Sequence, residues 1–175
     1  MEDSESDLIE AIARGNETAF EQLVKRYQNP VMSFVYRYIG DIHSAQDIVQ
    51  EVFLRIFQAE PRGKVSSWIF RIAYNLSVNE LKRRRRMNDF CAAITEDISE
   101  MPFTNDKESE EWLTAALGKL PENQRAALLL RLNEQLSYAE ISKVMDVSVA
   151  SIESLIFRAR SRLKQLRTED TRSEQ

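Results

Sequence analysis

Apolar residues in this chain recur at the spacing of an α-helix, and that period restricts its possible folds more than any other feature. Phe20, Leu23, Val24 and Tyr27 fall at i, i+3, i+4 and i+7, with Ala19 beside them, so one apolar face is defined. Val31, Phe34, Val35 and Tyr38 repeat the spacing. A third stripe is formed by Ile48, Val49, Val52, Phe53, Ile56 and Phe57, and a fourth by Ile69, Ile72, Ala73 and Leu76. With 4 Gly and 4 Pro in 175 residues, the chain is poor in tight turns, which argues against an all-β plan. Local signals set the expected boundaries. Asn29-Pro30 reads as a cap followed by proline in a first turn, dividing the first two stripes into separate helices. Gly40 stops the second, Ser44 caps the third, and Pro61 and Gly63 break the chain before the fourth.

The periodicity dissolves after Arg86. From Met87 to Glu111 the chain is acidic, with Lys107 its only base, and it reads as a linker. Periodicity returns at Trp112 and runs through Leu117, Leu120, Ala127 and Leu128. The fold class expected is therefore all-α: two small helical domains, 5–88 and 111–168, joined by an acidic flexible linker at 89–110, with a frayed tail, TEDTRSEQ. No stretch approaches the ~20 apolar residues of a membrane span, and the acidic first residues lack the apolar region of a signal peptide, so no membrane insertion and a cytoplasmic location are expected. Cys91 is the only cysteine, which excludes an internal disulfide and a multi-cysteine metal site. His43 is the only histidine and reads as a turn residue; there is no P-loop, G-x-G-x-x-G or H-E-x-x-H. No catalytic residue, metal or cofactor is expected. Cys91 reads as incidental, since a redox sensor needs a resolving partner.

LSYAEISKVMDVSVASIESLIFRARSRLKQLR, in the second half, has the pattern of a helix-turn-helix. Ser137 and Glu140 form an S-x-x-E capping box opening a short helix that buries Ile141, Val144 and Met145. Asp146-Val147 makes the turn; glycine is commonest there, but Asp tolerates the left-handed conformation better than most residues. Ser148 caps a second helix in which Ile152, Leu155 and Ile156 pack back on the first. A helix so placed enters the major groove. Ser148, Ala150, Ser151 and Glu153 then face bases and phosphates, while Arg158, Arg160, Arg162 and Lys164 supply charge for backbone contacts. A packing hairpin with a solvated basic face would carry the same pattern.

In the first half, Trp68, Arg71, Asn75, Val78 and Lys82 follow one another at spacings of 3, 4, 3 and 4, along one face opposite the apolar stripe. An aromatic plate, a guanidinium, an amide and an ammonium in a row suit unstacked nucleic acid. Lys82, Arg83, Arg84, Arg85 and Arg86 lie beyond the end of that face, where they can grip phosphates, although the net charge of the chain is -4. Trp68 would serve equally in a core, and the basic run equally as a solvated helix end. On the third helix Asp47, Gln50 and Glu51 share i, i+3, i+4 spacing away from the apolar stripe. Such a stripe would serve equally as plain surface; its two carboxylates repel phosphate, so if it has a partner, that partner is a protein with basic residues.

With these features in place, the chain resembles the bacterial RNA polymerase sigma factors of the extracytoplasmic-function (ECF) type. DIVQEVFLRIF, WIFRIAYN, LPENQRAALLLR and LSYAEISKVMDVSVASIESLIFRAR match that family in its usual order, from about Asn16 to Leu166. The resemblance implies a first domain like sigma region 2 and a second like region 4. It implies that Asp47, Gln50, Glu51 and Leu54 contact the clamp of the largest subunit of core RNA polymerase, and that the flap of the second subunit is also a partner. The loop from Ala59 to Val65, with Arg62 and Lys64, would border a pocket for a flipped base of the −10 promoter element. Trp68, Arg71, Asn75 and Asn79 would line the melted strand, and Lys82, Arg83, Arg84, Arg85 and Arg86 would hold phosphates. Ser137, Tyr138, Ser148, Ala150, Ser151, Glu153, Ser154, Phe157, Arg158 and Arg160 would read the −35 element. Promoter DNA, core polymerase and an anti-sigma factor are the implied partners; the implied protein is a specificity subunit without an active site. The sequence departs from the family pattern at Ser44, where an acidic residue is more usual, and at Glu153 and Leu155, where basic residues are frequent. A stand-alone helix-turn-helix regulator is the alternative, against which the WIFRIAYN face argues.

Overall fold

The computed structural model describes residues 5–58, 64–90, 107–132 and 136–173. Among these, eight helices and no strand are present: α1 (Glu5–Ala13), α2 (Glu17–Ile39), α3 (Ile42–Gln58), α4 (Val65–Phe90), α5 (Lys107–Gly118), α6 (Glu122–Leu132), α7 (Tyr138–Met145) and α8 (Val149–Ser173). The all-α expectation holds.

The first domain is a bundle in which α2, α3 and α4 pack on one another and α1 lies along α2. Its centre is built from Leu23, Tyr27, Val31, Phe34, Tyr38, Val52, Ile56, Ile69 and Phe70, none more than 2% exposed. Phe34 stacks on Tyr38 with centroids 5.8 Å apart and meets the edge of Phe70 at 5.7 Å. α1 went unread in the sequence, although Leu8, Ile9 and Ile12 already show its inner face.

Three expectations are corrected here. The predicted break at Asn29-Pro30 is absent, and α2 runs through Pro30 without interruption. A proline inside a helix costs about 3 kcal/mol. Tyr27, Val31, Phe34 and Val35 on both sides of it are buried in one core, and each such side chain contributes about 1.5–3 kcal/mol, so packing outweighs the lost hydrogen bond. The cap of α3 is Asp41 rather than Ser44: the Ser44 amide donates to Asp41 Oδ2 at 2.9 Å, which releases the Ser44 hydroxyl for other partners. Phe57, expected in the buried stripe, is 56% exposed; its ring rests edge-on against Phe20 at 5.1 Å, at the rim of the core. Gly40 does end α2, at φ 75°, with its amide donating to the Tyr36 carbonyl at 2.8 Å.

In the second domain α6, α7 and α8 pack mutually, and α5 lies against α8. Ala126, Ala127, Leu128, Leu129 and Leu130 are all buried, as a helix enclosed on most sides requires. The helix-turn-helix forms as expected. Glu140 N–H donates to Ser137 Oγ at 3.3 Å and Ser137 N–H to Glu140 Oε2 at 2.6 Å, closing the capping box. Asp146 adopts φ 55°, the left-handed value the turn demands, and Ser148 Oγ accepts from the Ser151 amide at 3.2 Å. The TEDTRSEQ segment is helical through Ser173 rather than frayed.

α4 extends to Phe90 and α5 begins at Lys107, so helix enters the expected linker from both ends. The remainder of that segment, with Cys91, lies outside the described residues, as does Arg62 of the predicted pocket loop. The two domains also touch: α7 lies against α4, and α5 and α6 against α2. The buried apolar residues of both form one continuous cluster. No described helix is long and apolar enough to cross a membrane.

Candidate nucleic-acid interface

α4 contributes most of the candidate surface. Val65, Ile69, Phe70 and Ala73 anchor its inner face, and Ser77 Oγ is satisfied by the Ala73 carbonyl at 2.7 Å. Of the predicted face, Trp68 and Val78 are half-buried and packed against the core. Arg71, Asn75, Asn79, Lys82 and Arg86, spaced 4, 4, 3 and 4, form the stripe that faces solvent.

The basic run divides by what surrounds each member. Arg84 is the least exposed of the five; its guanidinium donates to Asp41 Oδ2 at 2.8 Å, Ser44 Oγ at 2.7 Å and Glu80 Oε1 at 2.9 Å, tying α4 to the start of α3. Arg83 forks onto both Glu80 oxygens at 2.8 Å. Arg85 reaches the carboxylate of Glu122 in the second domain. Lys82 and Arg86 are exposed and make no ion pair with any described residue. The run is thus two solvated cations, two held inside the first domain and one held by the second. Lys64, before α4, meets Glu140 Oε1 at 2.9 Å.

Glu80 is held below the ordinary carboxylate range, chiefly by the hydrogen bond from Arg83, with Arg84 adding to it and burial opposing. At Asp41 burial pushes the carboxyl up, but the hydrogen bonds from Ser44 and the charge of Arg84 outweigh it and the net direction is down. A carboxyl with a lowered folded pKa stabilises the fold at pH above its unfolded value, about 4, and loses that contribution as pH falls through the folded value. Unfolding by urea should therefore show a midpoint level from pH 7 to 5 and falling below 4. An Arg84→Gln variant, already without the charge partner, should show a flatter decline.

On α3, Asp47, Gln50 and Leu54 are exposed; Glu51 is half-buried and accepts from Arg55 Nε at 2.6 Å. Leu54 is 50% exposed, and Phe57 continues its face one turn on. Phe57 is the residue the sequence reading placed wrongly: its apolar spacing marked it as core, while its position at i+7 from Gln50 equally puts it in the solvent stripe.

On α8 and its approach, Ser137, Ser148, Ala150, Ser151, Glu153, Ser154, Phe157, Arg158 and Arg160 all face solvent. Tyr138 is half-buried beneath Arg131, whose guanidinium carbon lies 5.1 Å from the ring centroid. Leu155 is half-buried against the core, so that departure from the family pattern serves packing. Phe157, 71% exposed, stands beside a groove lined by Lys119, Gln124, Arg158 and Arg162.

Taken together, these features define a two-domain helical protein with a helix-turn-helix in one domain and a basic, amide-bearing helix in the other. Residues 23–87 match Sigma-70 region 2, and residues 110–163 match Sigma-70 region 4. The chain is similar to the RNA polymerase sigma-H factor of Pseudomonas aeruginosa, 33% identical over 176 residues with 91% of each chain covered. It is similar also to the ECF RNA polymerase sigma factor SigM of Bacillus subtilis, 31% identical with 83% of this chain and 93% of that one covered. Among solved structures it resembles CnrH in complex with the cytosolic domain of CnrY: TM-score 0.74, 26% identity, 96% of this chain and 99% of that one. The sigma factor RpoE of Bartonella quintana, in complex with the anti-sigma factor NepR, shares the fold at TM-score 0.73 and 22% identity, over 85% of this chain and 96% of that one. The chain belongs to the ECF RNA polymerase sigma factors.

Proposed function

We propose that this sigma factor binds core RNA polymerase through the exposed α3 face of Asp47, Gln50, Glu51 and Leu54, and directs it to promoters with both domains. The domain carried by residues 5–88 captures the melted −10 strand, and the domain at 111–168 reads the −35 duplex from α8. The observation that supports this best is the division of labour on α4: Arg71, Asn75, Asn79, Lys82 and Arg86 form an unobstructed polar and basic stripe while Arg83 and Arg84 brace the bundle. Bases stack and hydrogen-bond along such a stripe as they leave the duplex, which offsets the few kcal/mol of unstacking. The chain serves as a specificity subunit in the cytoplasm, the chemistry being left to the core enzyme. CnrH, held by the cytosolic domain of CnrY, and RpoE, held by the anti-sigma factor NepR, support control by an anti-sigma factor that covers these surfaces.

Titration of the labelled protein with bacterial core polymerase, followed by fluorescence anisotropy, tests the reading; nanomolar binding is expected. Absence of binding by a well-folded protein would overturn it. Within the holoenzyme, a Lys82→Gln/Arg86→Gln variant should lower the slope of log affinity against log salt by roughly one per lost phosphate contact. Arg83→Gln should leave that slope nearly unchanged, because Arg83 is already committed to Glu80.

A further inference from the structure

On the outer side of α8, Glu153 has no structural employment. Ile152, Ile156 and Ala159 are buried and Leu155 is half-buried, which fixes the phase of the helix and turns Ala150, Ser151, Glu153, Ser154, Phe157 and Arg158 outward together. Glu153 is the only acidic residue between Val149 and Thr168, a stretch that carries Arg158, Arg160, Arg162, Lys164 and Arg167. A helical carboxylate can stabilise the helix N-terminus, but that effect is confined to the first turn. The first turn of α8 holds no acid, and Glu153 is the fifth residue. A helical carboxylate can also pair with a cation three or four positions away. The residues at those positions are Val149, Ala150, Ile156 and Phe157, and Glu153 makes no hydrogen bond or ion pair with any described residue.

An ionised carboxylate only accepts hydrogen bonds. In the major groove guanine offers the acceptors N7 and O6, and thymine the acceptor O4 beside a methyl group, so both repel it. Adenine sets its N6 amine next to the N7 acceptor. Cytosine alone presents a donor, the N4 amine, with no acceptor beside it. Phosphate repels the same group, so a carboxylate on a duplex-reading helix lowers affinity for every sequence except one whose base edge donates to it. The hydroxyls of Ser148 and Ser151, earlier on the helix, lie 2.8 Å apart and engage each other. Glu153 is thus the only charged acceptor on that face.

We propose that Glu153 selects a cytosine in the duplex that α8 reads: its carboxylate accepts from the cytosine N4 amine and rejects guanine and thymine at that step. This rests on the reading of α8 as the −35 helix. A basic residue at this position, frequent in the family, would favour guanine, so Glu153 carries the opposite preference. The departure from the family pattern is then a change of specificity rather than a lost contact.

The test uses holoenzyme assembled from the full chain and core polymerase. It is offered a library of fully paired random duplexes about 20 base pairs long, two helical turns, so that only duplex reading is selected. Retained duplexes are sequenced, and circular dichroism checks that each variant folds. Wild type should enrich a motif with one fixed C·G pair that Glu153→Ala no longer specifies, the other fixed positions being unchanged. Glu153→Gln should turn that position to A·T, because glutamine pairs with adenine N6 and N7. Replacing the cytosine in the selected duplex should cost wild-type holoenzyme about tenfold in affinity, and Glu153→Ala less than about twofold. An unchanged motif in Glu153→Ala overturns the assignment and leaves the promoter-binding reading untouched. So does a uniform rise in affinity with the motif unaltered, which would mark the carboxylate as a plain repulsive charge. Enrichment of no motif by assembled wild-type holoenzyme removes the −35 reading itself, and the assignment of Glu153 with it.

Discussion

Replacing Asp47, Gln50 and Glu51 together with alanine should weaken binding to core RNA polymerase about 100-fold while leaving the fold intact. Three polar contacts worth about 1 kcal/mol each amount to that factor, at 1.4 kcal/mol per tenfold. Asp47 and Gln50 face solvent, and Glu51 contributes only a pair with Arg55 four residues on, so the folded state forfeits no more than about 0.5 kcal/mol. Anisotropy against core polymerase, with circular dichroism beside it, separates the two effects. A triple variant that binds as well as wild type would remove α3 from the interface. Adding Phe57→Ala should deepen the loss, because Leu54 and Phe57 form the one large apolar exposure on that helix and an aromatic at the rim of a polar stripe is a common anchor.

The second large effect is on stability. Arg84→Gln should lower the free energy of unfolding by about 2 kcal/mol, because it leaves Asp41, Glu80 and the Ser44 hydroxyl without the cation they share in a half-buried position. Arg86→Gln, two positions on and without an ion-pair partner among the described residues, should stay within about 0.5 kcal/mol of wild type. Urea denaturation gives both numbers, provided the slope with denaturant is unchanged. In strand binding the order should reverse, with Arg86→Gln the more damaging. Equal destabilisation by both would mean that the network around Arg84 carries no special weight.

This contrast shows where the sequence was legible. The helical phases of α2, α3, α4, α6, α7 and α8 were open to direct reading, as were the capping box of Ser137 and Glu140, the left-handed Asp146 and the Ser148 cap. Each depends on residues within four or five positions of one another, so the pattern is local and one-dimensional. The exposure of the α8 face followed from the same period. The misreadings also have local origins. Pro30 is a break signal whose cost was weighed without the core that overrides it, and Phe57 belongs by spacing to both the apolar and the solvent stripe of α3.

No local pattern distinguishes Lys82, Arg83, Arg84, Arg85 and Arg86 from one another, and as a row of cations they all read as phosphate ligands. Their roles separate only when Asp41 is brought to Arg84 from 43 residues away and Glu122 to Arg85 from 37. What the sequence by itself determined is therefore the helices, their inner faces, their caps and the order of motifs that marks an ECF sigma factor. The tertiary structure decided which charges are neutralised, which stay solvated, and that the second domain rests on the first. The physical reason is range: periodicity and capping act within a turn or two of helix, whereas the pairing of a charge depends on whichever opposite charge the completed fold sets beside it.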